Sequence, residues 1–149
     1  MAASSARDAE AVIEGYLAAI RYKSADALAD LYAPDAVHVF PFIHGEGRVL
    51  RGREAVRARY GALWGNLPAT VRRVDNLVTH ASNDGQTIVA EFEVDLTLAQ
   101  TGADVTLASV VVAKVQAGLI QSLRDYTDDL TVARTFGRRE TPLPGGQRG

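Results

Sequence analysis

Cysteine is absent from the 149 residues, which excludes disulfides, thiolate nucleophiles and thiolate metal ligands while leaving the compartment open. An excess of either charge is missing too: 16 Lys and Arg stand against 18 Asp and Glu, a formal charge of -2. No basic field exists to collect phosphate backbones or anionic head groups, so neither nucleic acid nor a membrane surface is expected as a partner. No apolar run is long enough to span a bilayer, and the opening MAASSARDAEAV lacks the apolar centre of a signal peptide. The cytoplasm is the expected location. There is no Gly-rich phosphate loop, no Gly-x-Ser-x-Gly elbow and no His-x-x-x-His or similarly spaced ligand set, so neither cofactor nor metal is expected.

What is present is an ordinary globular composition, 47% hydrophobic and 23% charged, enough to bury one core without staples. One domain is expected over residues 1–133. The Arg-, Gly- and Pro-rich stretch 134–149 has no periodicity and is expected to be a mobile tail. Ala9, Val12, Ile13, Tyr16, Leu17 and Ile20 recur at three- and four-residue steps, the stripe of an amphipathic helix with Ser5 as its expected cap. A second helix is expected from Ser24 to Ala33, capped by Ser24 and ended by Pro34. A third is expected from Arg53 to Trp64.

β-rich sequence occupies Val37 to Phe40, with a short return through Arg48 to Leu50. Four long strands follow, near Thr70–His80, Gln86–Leu98, Ala103–Val115 and Leu119–Leu130, separated by Gly-containing turns. Along Gln86–Leu98, Ile88, Ala90, Phe92, Val94 and Leu96 alternate with Glu91, Glu93 and Asp95, one apolar face against one acidic face. The stretch Val105–Val115 is apolar on both faces. With helices for only one side of the sheet, its other side is expected to meet a second copy in a homodimer.

The element order and the phrases Leu31-Tyr32-Ala33-Pro34-Asp35-Ala36-Val37, Gly52-Arg53-Glu54-Ala55-Val56 and Arg124-Asp125-Tyr126 resemble the nuclear transport factor two-like superfamily. That superfamily includes ketosteroid isomerases, SnoaL-type polyketide cyclases and limonene epoxide hydrolase. The resemblance runs from Ala9 to Leu130 and implies an α+β fold in which a cone-shaped, curved antiparallel sheet wraps about three helices of the N-terminal half. The ketosteroid isomerases' catalytic Tyr is matched by Tyr16, but their general-base Asp and their protonated Asp fall on Phe40 and about Val111, so that chemistry is not expected. The two acids of limonene epoxide hydrolase fall on Asp95 and Asp125. Its Arg falls on Glu93, and its first-strand Tyr and Asn fall near His38 and Phe40. SnoaL-type cyclases also carry an acid/base Asp at the position of Asp125.

Asp125 is therefore either a pocket acid whose pKa burial would raise, or a solvent-facing carboxylate paired with Arg124. Glu93 and Asp95 share one face of a strand and suit either assistance to Asp125 or a solvated acidic surface. His38 is a candidate base or a structural histidine. Tyr16, Tyr32, Phe40, Phe42, Tyr60, Trp64 and Val111 are candidate pocket wall, or core. Taken together, the expectation is a cofactor-independent enzyme using general acid/base chemistry on a small apolar, polyketide-like or terpenoid-like molecule. The alternative is a non-catalytic binding or dimerisation module.

Overall fold

The structure, a computed structural model, describes residues 2–137. Its elements are α1 (Ala2–Tyr22), α2 (Ala25–Ala29), β1 (Tyr32–Val39), β2 (Val49–Arg51), α3 (Arg53–Gly65), β3 (Ala69–Ala81), β4 (Thr87–Leu98), β5 (Asp104–Gln116), β6 (Leu119–Thr127) and α4 (Asp129–Phe136). The strands form one sheet in the order β2-β1-β6-β5-β4-β3.

That order corrects the expected architecture. The sheet is open, with β2 and β3 as its edges, and does not close into a cone-shaped barrel. It is mixed, because β1 runs parallel to β6 while every other neighbouring pair is antiparallel. Turn signals report only the antiparallel hairpins they join; a pairing between strands about 80 residues apart leaves no local trace. The described residues also hold four helices rather than three, the last of them after the final strand.

α2 ends at Ala29, and Pro34 lies inside β1 instead of closing a helix. The β1–β6 register shifts between Tyr32 and Val37, so the residue without an N–H sits in an irregular part of the ladder. Ser24 caps α2 as expected, its side chain accepting from the Ala27 N–H. Ser5 does not cap α1, which already begins at Ala2. Gly52 turns the chain from β2 into α3 at φ 93, and a Cβ there would meet the Pro34 carbonyl at 3.3 Å. Glycine answers both constraints. Arg53 Nε then donates to the Tyr32 carbonyl at 2.8 Å, tying the start of α3 to β1.

The apolar stripe of α1 (Ala9, Val12, Ile13, Tyr16, Ala19) packs with the inner face of the sheet. From β4 that face takes Ile88, Ala90, Phe92, Val94 and Leu96, all buried. It continues through Val111, Ala113 and Val115 of β5 and Ile120 and Leu123 of β6. Each fully buried aliphatic side chain contributes on the order of 1.5–3 kcal/mol. The segment expected to continue as strand to Leu130 instead breaks at Asp128, whose carboxylate accepts from the Thr131 N–H at 3.0 Å and the Thr131 hydroxyl at 2.6 Å. This N-cap starts α4. Of the stretch expected to be a tail, Arg134 to Phe136 belong to α4, and residues 138–149 lie outside the described residues. No described helix is long and apolar enough to cross a membrane.

Candidate functional site

Between the inner face of the sheet, α1, α3 and α4 lies a cavity of about 400 Å³, within the size range of small-molecule sites. Its position follows from the strand period. Side chains of β4, β5 and β6 alternate between faces, and Phe92, Val94, Leu107, Ser109, Asp125 and Thr127 all fall on the inner one. α3 contributes Tyr60 and Trp64, four residues apart, and α1 contributes Tyr16. Leu130, Ala133 and Phe136 of α4 close one side, and Phe42 and His44 of the β1–β2 connection border it.

Asp125 is the carboxylate that the sheet turns inward. Thr127 donates its hydroxyl to Asp125 Oδ1 at 2.5 Å and Tyr60 donates to Oδ2 at 3.2 Å. Burial raises its pKa above the usual carboxylate range; those two hydrogen bonds oppose the shift, and the charge of Asp129 adds to it. The group is half-buried, since cavity space reaches a carboxyl otherwise surrounded by protein. Arg124, the alternative partner considered from the sequence, lies on the outer face with Tyr126, its Nε within 3.2 Å of that hydroxyl.

His38 is fully buried and does not border the cavity. Its Nδ1 lies 2.7 Å from the Tyr32 hydroxyl and its Nε2 lies 3.3 Å from that of Tyr60. Burial first, and then the nearby Arg59 charge, push it down to about 3, so it is a neutral imidazole at neutral pH with one N–H. When Tyr60 gives its single proton to Asp125, Nε2 must be the donor to Tyr60 and Nδ1 the acceptor from Tyr32. The result is a directed chain, Tyr32 to His38 to Tyr60 to Asp125. The phenols of Tyr16, Tyr32 and Tyr60 are all pushed well above 10, by burial first. They are donors, not bases.

The remaining candidates divide by face. Phe40, Phe42, Tyr16, Tyr60 and Trp64 border the cavity, with Phe40 and Tyr60 ring centroids 6.2 Å apart and Tyr60 and Trp64 4.9 Å apart. Val111 is a core residue paired across the ladder with Asp125. Tyr32 stands behind His38. Glu93 and Asp95 project from the outer face. Asp95 accepts from Thr106 at 2.6 Å and from Arg73 at 2.9 Å, and those bonds hold it below the usual carboxylate range. Glu93 bonds Asn76. Among the described residues no cluster of three or more His, Asp or Glu is placed to hold a metal ion.

Sequence reasoning missed Arg59, Ser109 and all of α4. Arg59 could have been found from its i, i+4 relation to Leu63 on the face that carries Tyr60. The Asp128–Thr131 cap, followed by Leu130, Ala133 and Phe136 at three-residue steps, was the signal for α4.

A profile described as a SnoaL-like domain matches residues 13–123. Among curated proteins nothing matches. Solved structures do: a candidate isomerase from Bacillus subtilis (22% identical, TM-score 0.80, 89% of this chain and 95% of that one) and a candidate polyketide cyclase from Xanthomonas campestris (20%, TM-score 0.65, 82% and 91%). An LEH-like epoxide hydrolase from M. tuberculosis is also similar (19%, TM-score 0.64, 86% and 88%). At these identities the likeness establishes a common fold.

Proposed function

The chain belongs to the SnoaL-like domain family, and on that premise we propose that it is a cofactor-independent enzyme moving protons on a small, largely apolar molecule, with Asp125 as general acid/base. The observation that carries this reading is a carboxyl with a raised pKa that opens onto a mainly apolar cavity and is held by Tyr60 and Thr127. Proton transfer is the step common to isomerase, cyclase and epoxide-opening chemistry, the activities named for the similar structures.

In its neutral form Asp125 donates to a carbonyl or ether oxygen; ionised, it accepts from carbon next to a carbonyl. Each state has a matching arrangement behind it. With the carboxylate charged, Tyr60 and Thr127 donate to it. With the acid neutral, Asp125 carries its own proton toward the cavity while Tyr60 keeps its place against the carboxyl, with the His38 Nε2–H still donating to Tyr60. His38 stays neutral and in one tautomer through both states, as suits an imidazole held at about 3, and acts by positioning Tyr60. Because Glu93 and Asp95 face away from the cavity, proton shuttling by one carboxyl, as in isomerisation or cyclisation, fits better than a reaction needing that pair.

The test is turnover of a panel of enolisable carbonyl compounds and epoxides by the wild type and by Asp125→Asn. Loss of about 10²–10⁴-fold in rate with the fold retained is expected of a general acid/base. Undiminished turnover in the variant would remove Asp125 from the mechanism. Tight binding of panel members without any turnover would favour the alternative, a binding module, for which Phe40 and Val111 at the positions of the isomerases' acids and Glu93 at the position of the epoxide hydrolase's Arg speak. We also propose a homodimer through the outer face, where Val89, Val110 and Val112 lie half-buried on adjacent strands; light scattering at low concentration checks it, and a stable monomer refutes it.

A further inference from the structure

Two arginines leave α3 two residues apart, and only one of them has protein carboxylates. Arg57 contacts Asp26 at 2.5 Å, Glu54 at 3.0 Å and Asp30 at 3.7 Å. Arg59 borders the cavity, stacks its guanidinium carbon 5.5 Å from the centre of the Phe40 ring, and pairs with no carboxylate among the described residues. Its Nε is buried and has no hydrogen-bond acceptor among the described residues. A buried donor without an acceptor is uncommon in folded proteins and calls for a partner. The surroundings hold the group in place. Gly47 approaches so closely that a Cβ there would lie 3.3 Å from Arg59 Nη1, and the loop carrying Gly47 is braced by Arg48 Nη1 donating to the Pro41 carbonyl at 2.7 Å and the Ile43 carbonyl at 3.1 Å.

We propose that Arg59 is an anion subsite of this cavity and that the molecule turned over is a carboxylate, an acid whose apolar body lies against Phe40, Trp64 and Phe92 while its reacting carbon faces Asp125. A guanidinium offers parallel N–H donors that match the two oxygens of a carboxylate. The aromatic ring under the cation keeps the plane of the guanidinium fixed and water away from one face. Placing the anion at Arg59 sets the ligand's orientation, which an apolar wall by itself does not. The proposal rests on the cavity being the site of the reaction described above, and it names the class of molecule that enters.

Trp64 is the only tryptophan and borders the cavity, so its fluorescence reports occupancy directly. The probes are naphthoate and naphthamide, alike in shape and different in charge, titrated at fixed ionic strength into the wild type, Arg59→Met and Arg59→Lys. The wild type is expected to bind naphthoate at least about tenfold more tightly than naphthamide, a difference of one decade in Kd. Arg59→Met should erase that preference while keeping its affinity for naphthamide, which also shows that its cavity is intact; Arg59→Lys should retain part of it. Equal binding of the two probes by the wild type overturns the anion subsite and leaves the role of Asp125 standing. An equal loss of both probes in Arg59→Met and Arg59→Lys overturns it as well, assigning Arg59 to the cavity's shape. Binding of neither probe by the wild type overturns the ligand cavity itself, and the subsite with it.

Discussion

Asp95 and Asp125 sit on the two strands that flank β5, each with a threonine hydroxyl donating to it at 2.6 and 2.5 Å, yet their pKa values move in opposite directions. The difference is one of face. On the outer face Asp95 finds Arg73, whose Nη2 lies 2.9 Å away. On the inner face Asp125 has a phenol as its second partner and aromatic walls around it. A threonine bond favours the charged form of either group; what decides the sign is whether a cation or an apolar wall completes the shell. One sheet thus makes a stabilising carboxylate on one side and a poised acid on the other.

The strongest way to break this comparison is to remove each acid in turn. Asp125→Asn is expected to cost about 10²–10⁴-fold in turnover, and Asp95→Asn to leave turnover within a small factor of wild type. Stability should move the other way. The folded-state pKa of Asp125 is raised, so its neutral form is the one the fold favours. Its contribution is present below the usual carboxylate range and lost as pH rises through the raised value. The unfolding midpoint of Asp125→Asn should therefore gain on wild type as pH rises through that window. A midpoint difference independent of pH would show that Asp125 is not desolvated.

His38 sharpens the same contrast from behind the acid. Its pKa is lowered to about 3, so between about 6.5 and 3 the unfolded chain binds a proton that the folded one refuses. Stability is full above the upper limit and falls as pH drops, by at most about 1.4 kcal/mol per pH unit for one proton. His38→Gln, which offers Tyr60 an uncharged polar partner, should flatten the acid limb of a plot of urea midpoint against pH. An unchanged limb would mean that His38 titrates normally.

Much of this was legible in the sequence, and the failures have physical reasons. The alternation along Gln86–Leu98 separated an apolar face from an acidic one, while the choice for Asp125 between the pocket and Arg124 stayed open. Parity could not say that Glu93 and Asp95 turn away from the cavity, because which face carries the helices is a tertiary fact. The parallel β1–β6 pair, and with it the open mixed sheet, left no signature in turns or spacing. The hydrogen-bond chain through His38 was invisible for the same reason: Tyr32 and His38 belong to β1 and Tyr60 to α3, and they meet only after β1 and α3 dock.

A smaller effect is expected from the outer face alone. The folded-state pKa of Asp95 is lowered, so its stabilising contribution is present above the usual carboxylate range and lost as pH falls through its folded value. Asp95→Asn should lower the unfolding midpoint at neutral pH, modestly because Arg73 is largely exposed, and the gap to wild type should close in acid. Added salt should narrow it too. A gap that persists in acid would point to lost packing instead of lost charge.

The finest test isolates what the two acids have in common. Thr127→Val removes a hydroxyl that lowers the pKa of Asp125, and Thr106→Val removes the one that contributes most to lowering that of Asp95. Valine nearly preserves the shape of each site, and the net worth of such a bond is about 0.5–1.5 kcal/mol, so both variants should fold. Both carboxyl pKa values should rise, read from the carboxyl carbon shifts by NMR. Their order should not change. Asp95 keeps Arg73 and should stay below Asp125, whereas Asp125 keeps its burial, the charge of Asp129 and, on the lowering side, the Tyr60 hydroxyl and the backbone N–H of residue 127. If the threonine bonds set the difference between the faces, Thr106→Val would bring Asp95 up to the value of Asp125. Convergence of that kind would remove the cation-against-wall explanation, and parallel rises with the gap preserved would support it.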